Sequence, residues 1–484
     1  MKNFILILVL ILISLGLYLN SLGGDFLIDD EAGILNNQAI HSLNIYFSKY
    51  FKLRPGVIDE LRRVYLWHLW PQNPYPYHLS NIITHAACVG LLFILINLLF
   101  NNRALAFITS LIFSLHPIHT EAVSWISGGT YAFSSLFFIC AFIFYVKAKR
   151  SLYCLALSAI FFTLCFFVGN SAIMLPAMLI LYEVFFRPDK DKRLKKIRLM
   201  VLSLTLLPAL LFVALVFINR NTYIHTIFYF RGLSYLIVIT KSLLYYLNIL
   251  YLPLRRGLYH PFGYNTTQIA KLSPAFFISL CIILGSIWLF FRCRKKAAPI
   301  SFGLAWFFIN YLPYSNIVPV CNIISERYMY LPSAGFCLIM SYLILWAWRL
   351  INERKKTLRP LAIIAIALFL GSYAILTLKR NFEYHNILTY WQTNINNFPD
   401  GYKAYNNLAG TYYTMGNLKQ AQAYCRVNLM INSAQPHVWY NLGNVYWQLG
   451  DLKEAQYCYE QALRVDNNFS PAHKALEEIK KVVK

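Results

Sequence analysis

Charged side chains are scarce in this sequence. Only 13% of the 484 residues are Asp, Glu, Lys or Arg, against roughly 25% in soluble domains. Acids are scarcer still, 20 against 44 basic residues, for a formal net charge of +24. No glycine-rich phosphate loop occurs, and no Ser/His/Asp or Cys/His arrangement can be placed on one face, which argues against loop-bound nucleotide phosphates and triad hydrolysis. None of the ten cysteines forms a CxxC pair, so they read as small buried hydrophobes without a metal or disulfide framework. The excess positive charge sits in short loops between apolar runs, where it is a topology signal; nucleic acid is not an expected partner.

Long apolar runs are plentiful. Hydrophobic residues make up 58% of the chain and mean hydropathy is +0.49. Runs near 3–20, 82–100, 104–118, 131–146, 151–168, 171–186, 199–218, 233–252, 274–291, 300–313, 332–348 and 358–378 approach the roughly 20 residues that cross a hydrocarbon core. No small-x-small cleavage site follows the first run, which therefore reads as an uncleaved span. Lys2, Arg103 and the basic clusters at 147–150, 187–198, 292–296 and 349–359 should be cytoplasmic. Residues 20–81 then form a large first external loop. The run at 233–252 carries Lys241 at its centre and reads as a helix in the outer interface. About eleven spans remain, and the C-terminus falls outside the cell.

From residue 379 the composition turns polar and aromatic, and a self-match at an offset of 34 appears. Tyr405, Leu408, Tyr412, Gly416 and Ala421 return as Trp439, Leu442, Tyr446, Gly450 and Ala455. This is the tetratricopeptide period, with a half-repeat at 386–397 and a closing helix at 471–482. The expected fold is all-α: a polytopic helical membrane domain over 1–378, then an extracytoplasmic repeat solenoid over 379–484. Such arrays present a concave face to a protein or peptide.

The first loop opens with FLIDDEAGILNN at 26–37. Its acids, Asp29, Asp30 and Glu31, would each cost roughly 2.5–3.5 kcal/mol at the centre of a span. HPIHTEAVSWISGG at 116–129, LPLRRGLYHPFGYN at 252–265 and SNIVPVCNIISERYMYLP at 315–332 fall on the same external side. Ionisable groups gathered at a membrane rim are candidate sites. A carboxylate there suits general-base work on an acceptor hydroxyl, and arginines suit the phosphate of a lipid-linked donor. His116, His119 and Glu121 are candidate ligands for a divalent metal.

The order of FLIDDEAGILNN, HLSNIITHAACVGLLF, LHPIHTEAVSWI, LPYSNIVPVCNIISERYMYLPS and the repeats resembles the transmembrane and tetratricopeptide-repeat O-mannosyltransferases and their bacterial relatives. These are polyprenol-dependent glycosyltransferases of the GT-C superfamily. The resemblance implies a GT-C-like membrane domain and an inverting enzyme of the plasma or inner membrane that uses a polyprenyl-phosphate sugar. It also implies an acid of the first loop as base: Asp30 first, then Asp29, with Glu31 and Glu121 assisting. Glu121, His116, His119, Arg327 and Tyr328, with Arg255 and Arg256, would bind substrate, the arginines at the donor phosphate. Any metal would draw on Asp30, Glu121 and His119. Two departures stand out. GTYAFSS at 129–135 replaces an Arg/Lys-Asp pair, and Gly169-Asn170 replaces Lys-Glu. A scaffold without catalysis, or transfer to an envelope glycan or lipid, are the alternatives.

Overall fold

The computed structural model describes residues 2–148, 151–186, 206, 233–253, 272–317 and 324–482. Among these residues there are helices and no strand, as an all-α fold requires. Contacts divide the chain into two units, and His385 is followed by Asn386 as the first residue of the repeat unit.

In the first unit the apolar runs become helices. Those relevant to the site are α1 (Lys2–Tyr18), α2 (Val57–Leu69), α3 (Tyr75–Phe100), α4 (Arg103–Leu115), α5 (Gly129–Lys147), α6 (Leu152–Val168), α7 (Leu175–Phe186), α8 (Leu233–Tyr251), α9 (Pro274–Cys293), α10 (Ala298–Tyr311), α11 (Ser333–Arg354) and α12 (Arg359–Asn381). Seven helices among the described residues are long and apolar enough to cross a membrane. The run at 199–218 lies outside the described residues. Exposed apolar residues on α9, such as Leu284, Trp288 and Phe291, have no place on a soluble surface of this extent and suit contact with lipid.

Small residues set the closest helix approach. A Cβ on Gly335 would stand 2.3 Å from the Gly303 carbonyl oxygen, and one on Gly303 would stand 2.7 Å from that of Gly335. α10 and α11 thus pack backbone to backbone, as small residues allow between membrane helices.

The two ends of this unit differ in chemistry. At one end Phe100, Phe186 and Phe302 meet in a ring cluster, and Arg294 donates to the Val184 carbonyl at 3.3 Å. Arg103 and the cluster at 292–296 adjoin this end. At the other, Asn381 donates to the Leu17 carbonyl at 3.0 Å, and Asn20 donates to that of Leu378, also at 3.0 Å. The first and last helices of the unit therefore end side by side, at the face of the first loop.

That loop is a packed layer in its own right. Ile34, Ile40, Tyr46, Val64, Trp67, Tyr77 and Ile126 form its core, and His41 stacks on Trp67 at 4.0 Å.

α8, expected in the outer interface because of Lys241, has the length and composition of a span. Lys241 is 8% exposed, so neighbouring protein shields it and the lysine is no obstacle to crossing. Yet several of its bonds run toward the 315–332 stretch assigned to the outer face. Tyr235 donates to the carbonyls of Asn316 and Ile317, Tyr246 to that of Ser325, and Leu250 accepts from Tyr373.

The repeat unit follows the 34-residue period. Its helices are α13 (Ile387–Asn397), α14 (Tyr402–Thr414), α15 (Leu418–Ile431), α16 (Pro436–Gln448), α17 (Leu452–Val465) and α18 (Ser470–Val482). Gly416 and Gly450 occupy the left-handed region, at φ +75° and +81°, where a side chain would be strained. The next residues cap the following helices: Asn417 accepts from Gln420 N and Asp451 from Glu454 N, both at 3.2 Å. Ala421, Cys425, Leu442, Tyr446, Ala455 and Cys458 are buried, which is why the period carries small and aromatic residues there.

Candidate active site

The acidic turn begins with an unusual backbone. Ile28 has φ +49°, a conformation that is strained for a β-branched residue; such conformations persist only where the surroundings impose them. Asp30 supplies that constraint. Its Oδ2 accepts from Leu27 N at 2.9 Å, and its Oδ1 accepts from Ser127 N at 2.9 Å and from the Ser127 hydroxyl. Trp125 adds a bond from Nε1 to the Leu27 carbonyl at 3.3 Å. Asp30 is completely buried, and burial pushes its carboxyl up to about 6 against the pull of these bonds and of Arg63.

The neighbouring acids have other fates. Asp29 is exposed and lines a cavity of about 380 Å³ with Arg63, Trp125, Ser127, Thr130, Tyr131, Gly169, Tyr314 and Arg327. Glu31 is exposed in the turn that follows and is not among the cavity's lining residues. Asp30, the first-choice base of the sequence reading, does not line the cavity either; it clamps the turn that presents Asp29.

Arg327 reaches the same cavity. Glu121, 1% exposed, accepts from Arg327 Nη1 at 2.7 Å, from Arg327 N at 3.1 Å and from Ser325 Oγ at 2.6 Å. The guanidinium lies 4.9 Å from the Trp125 ring centroid and 5.7 Å from that of Tyr131. Glu121 is therefore occupied in orienting Arg327. Tyr328 is buried and stacks on Tyr314 at 4.8 Å. Glu326 pairs with Arg380 at 2.6 Å, both nearly inaccessible. Each residue of the ERY motif is thus tied to a different element.

His116 and His119 are buried away from the cavity lining. His116 accepts from Ile118 N at 3.1 Å through Nδ1 and meets the Leu250 carbonyl at 3.0 Å through Nε2. His119 meets Ser333 Oγ at 2.8 Å, and burial holds its imidazole well below the usual range. Among the described residues no three His, Cys, Asp or Glu converge as a metal-binding group. Asp30, Glu121 and His119 do not fit one ion, because each is committed to its own partners. Arg255 and Arg256 lie outside the described residues.

Asp59, Arg62 and Arg63 lie outside the motifs singled out in the sequence. Asp59 forms ion pairs of 2.8 Å with both arginines and accepts from Thr130 Oγ1 at 2.7 Å. Burial pushes the Asp59 carboxyl up, but the two guanidinium groups outweigh it and hold it down at about 2. The signal was present as an acid followed by arginines at i+3 and i+4 on a helix. The two departures noted in the sequence also face this cavity, since Thr130, Tyr131 and Gly169 line it.

A helical membrane domain with a first-loop acid facing arginines, joined to tetratricopeptide repeats, defines the class of protein. The Tetratricopeptide repeat family matches residues 436–469 and 403–429. Over most of its length the chain is similar to the transmembrane and tetratricopeptide-repeat O-mannosyltransferases. It is 25% identical over 460 residues to "Protein O-mannosyl-transferase TMTC3" of Mus musculus, covering 84% of this chain and 49% of that protein. It is 28% identical over 443 residues to "Protein O-mannosyl-transferase F38B6.6" of Caenorhabditis elegans, covering 85% and 61%. A shorter match, 32% over 195 residues, joins 36% of the chain to 23% of "Protein O-mannosyl-transferase tmtc2" of Xenopus laevis. The chain thus spans about half the length of the curated relatives it matches along most of its own sequence.

Proposed function

We propose that this chain is a membrane glycosyltransferase that moves a sugar from a polyprenyl-phosphate donor to a protein hydroxyl at the extracytoplasmic face. The observation that carries the reading is the cavity that gathers Asp29, Arg63 and Arg327. Asp29 takes the proton of the acceptor hydroxyl as the oxygen bonds to the anomeric carbon. The bond from that carbon to the phosphate oxygen breaks on the opposite face, which inverts the configuration. The departing phosphate keeps the electron pair, and Arg327 and Arg63 meet its charge. Asp30 and Glu121 are positioning residues for Asp29 and Arg327, and Asp59 holds Arg63. No step here runs through a metal.

The printed names of the relatives make mannose the first sugar to test. α1 and α12 ending side by side supports an extracytoplasmic exit toward the repeats, which would hold a protein acceptor or partner. The test supplies radiolabelled polyprenyl-phosphate sugars to membranes expressing the whole chain. Label entering protein is the expected result. Label entering lipid or glycan instead would move the acceptor to the envelope. No transfer from any donor by a folded chain would overturn the reading in favour of a membrane-anchored scaffold. Thr130, Tyr131 and Gly169 favour that second reading, because they line the cavity where the related enzymes are expected to carry charge.

A further inference from the structure

Part of the first loop is anchored on one side and bare on the other. Residues 43–50 form two consecutive helical turns, Leu43–Ile45 and Tyr46–Tyr50. Leu43 and Tyr46, three residues apart and so on one face, pack into the core of the loop, and the Tyr46 hydroxyl donates to Glu60 at 3.1 Å. Ile45, Phe47, Tyr50, Phe51 and Leu53 are exposed, Leu53 at 75%. A run of bare apolar side chains of this kind marks a contact with something outside the chain. A backbone bond fixes where the run lies: Gly56 N donates to the Phe167 carbonyl at 2.9 Å, in the last turn of α6. That helix has its own exposed stripe of Tyr153, Ala156 and Ile160, at i, i+3 and i+7 on one face.

We infer that residues 45–54 bind anionic phospholipid of the outer leaflet, with the rings among the acyl chains and Lys49 and Lys52 at the headgroup phosphates. Two observations select this occupant. The first is charge. Lys49, Lys52 and Arg54 are exposed among the apolar residues, and no Asp or Glu occurs between Glu31 and Asp59. Arg54 pairs with Glu60 at 2.5 Å, whereas among the described residues neither lysine enters an ion pair. An anionic headgroup supplies the missing partner, because a lysine stem can lie along apolar surface while its ammonium stays at the interface. A second copy of the patch would set lysine against lysine, and lysine is depleted from protein interfaces. The second observation is continuity. The basic cluster at 147–150 puts the start of α6 on the cytoplasmic side, so its last turn, and the patch bonded to it, meet the outer surface of the bilayer. Pro55 and Gly56, next in sequence, line the cavity of the candidate site; a phospholipid held here sits at its rim.

The inference rests on the outer placement of the first loop and not on sugar transfer. The test puts a photoreactive phenylalanine analogue at position 47 of the whole chain, in nanodiscs of equal parts phosphatidylcholine and phosphatidylglycerol. After illumination, mass spectrometry of the labelled peptide identifies what it touched. Phospholipid adducts are expected, with phosphatidylglycerol exceeding phosphatidylcholine by at least about fivefold, the factor one lysine contributes near an anionic lipid surface. Lys49→Gln with Lys52→Gln should bring that ratio to about one while lipid adducts persist and the unfolding midpoint stays unchanged. The absence of lipid adducts, adducts to a second copy of the chain, an even ratio in the unchanged chain, or a ratio unmoved by the double substitution would each overturn the inference. A chain that enriches phosphatidylglycerol at position 47 but transfers no sugar would retain this inference and reject the transferase reading.

Discussion

Asp29 and Asp30 are adjacent, yet only Asp29 lines the cavity. Asp30 spends both oxygens on Leu27 and Ser127, whereas Asp29 is exposed at the cavity wall. Asn at position 30 would turn an NH2 group toward one of those N–H donors. Asp30→Asn should therefore destabilise the first unit by about 1–3 kcal/mol, the cost of an unsatisfied buried group, as read by thermal unfolding in detergent. The pH dependence has a definite sign. The folded-state value of Asp30, about 6, lies above the ordinary 3.8, so the native chain binds more protons between the two. The stability this group contributes is fully present below about pH 4 and is lost as pH rises through about 6. Asp59, held at about 2, works the other way: its contribution is present above about pH 4 and is lost as pH falls through its folded value. Asp30→Asn should remove the slope between pH 4 and 6 and leave the acid-side loss in place. An unchanged slope would mean another group titrates there.

The acidic cluster was legible in the sequence as a candidate site, but the placement of each acid was not. That choice depends on the left-handed Ile28, which long-range bonds from Trp125 and Ser127 hold in place. A contact made about a hundred residues away leaves no trace in local pattern. The Asp59–Arg63 pair left a local trace, but its meaning comes from Thr130 across the cavity.

At the scale of elements, short motifs act as joints. Glu326 joins the ERY turn to the end of α12 through Arg380, and Glu121 joins it to the turn before α5 through Arg327. Removing one member of a fully buried pair typically costs about 3–5 kcal/mol. Arg380→Leu should therefore lower the unfolding midpoint markedly and reduce transfer through loss of the turn. The glycines of SWISGG act by close approach. A Cβ on Gly129 would fall 2.0 Å from Asn81 Oδ1, and Asn81 in turn accepts from Arg62 at 2.7 Å. Gly129→Ala should displace Asn81 and lower stability by about 1–3 kcal/mol, whereas Ala at Gly371, with nothing within 4 Å, should be tolerated. Thermal unfolding of the two variants in parallel checks this. The repeats were the most legible elements, because their turn glycines, caps and small packing positions recur every 34 residues. Glycines that serve helix contact, such as Gly303 and Gly335, carry no such period.

At the scale of the whole molecule, apolar runs and basic loops describe a membrane domain with two unlike ends, and the structure keeps those ends apart. α8 marks the limit of that reading: apolar pattern cannot say whether neighbouring protein shields Lys241. With α1 and α12 ending together at the first-loop face, residues beyond α12 should lie outside the cell. A Gly401→Cys chain should react with a membrane-impermeant thiol reagent in intact cells or spheroplasts, above the background of the unmodified chain. Protection of that cysteine would place the repeats in the cytoplasm and separate them from the cavity.

The most direct measurement compares sugar transfer by Asp29→Asn and Asp30→Asn in the same membranes, normalised to folded protein. Asp29→Asn should lose about 10²–10⁴-fold, the usual contribution of a general base, with its unfolding midpoint unchanged. Asp30→Asn should keep measurable transfer at temperatures below its lowered midpoint. Transfer abolished in Asp30→Asn but retained in Asp29→Asn would contradict the assignment of Asp29 as the base.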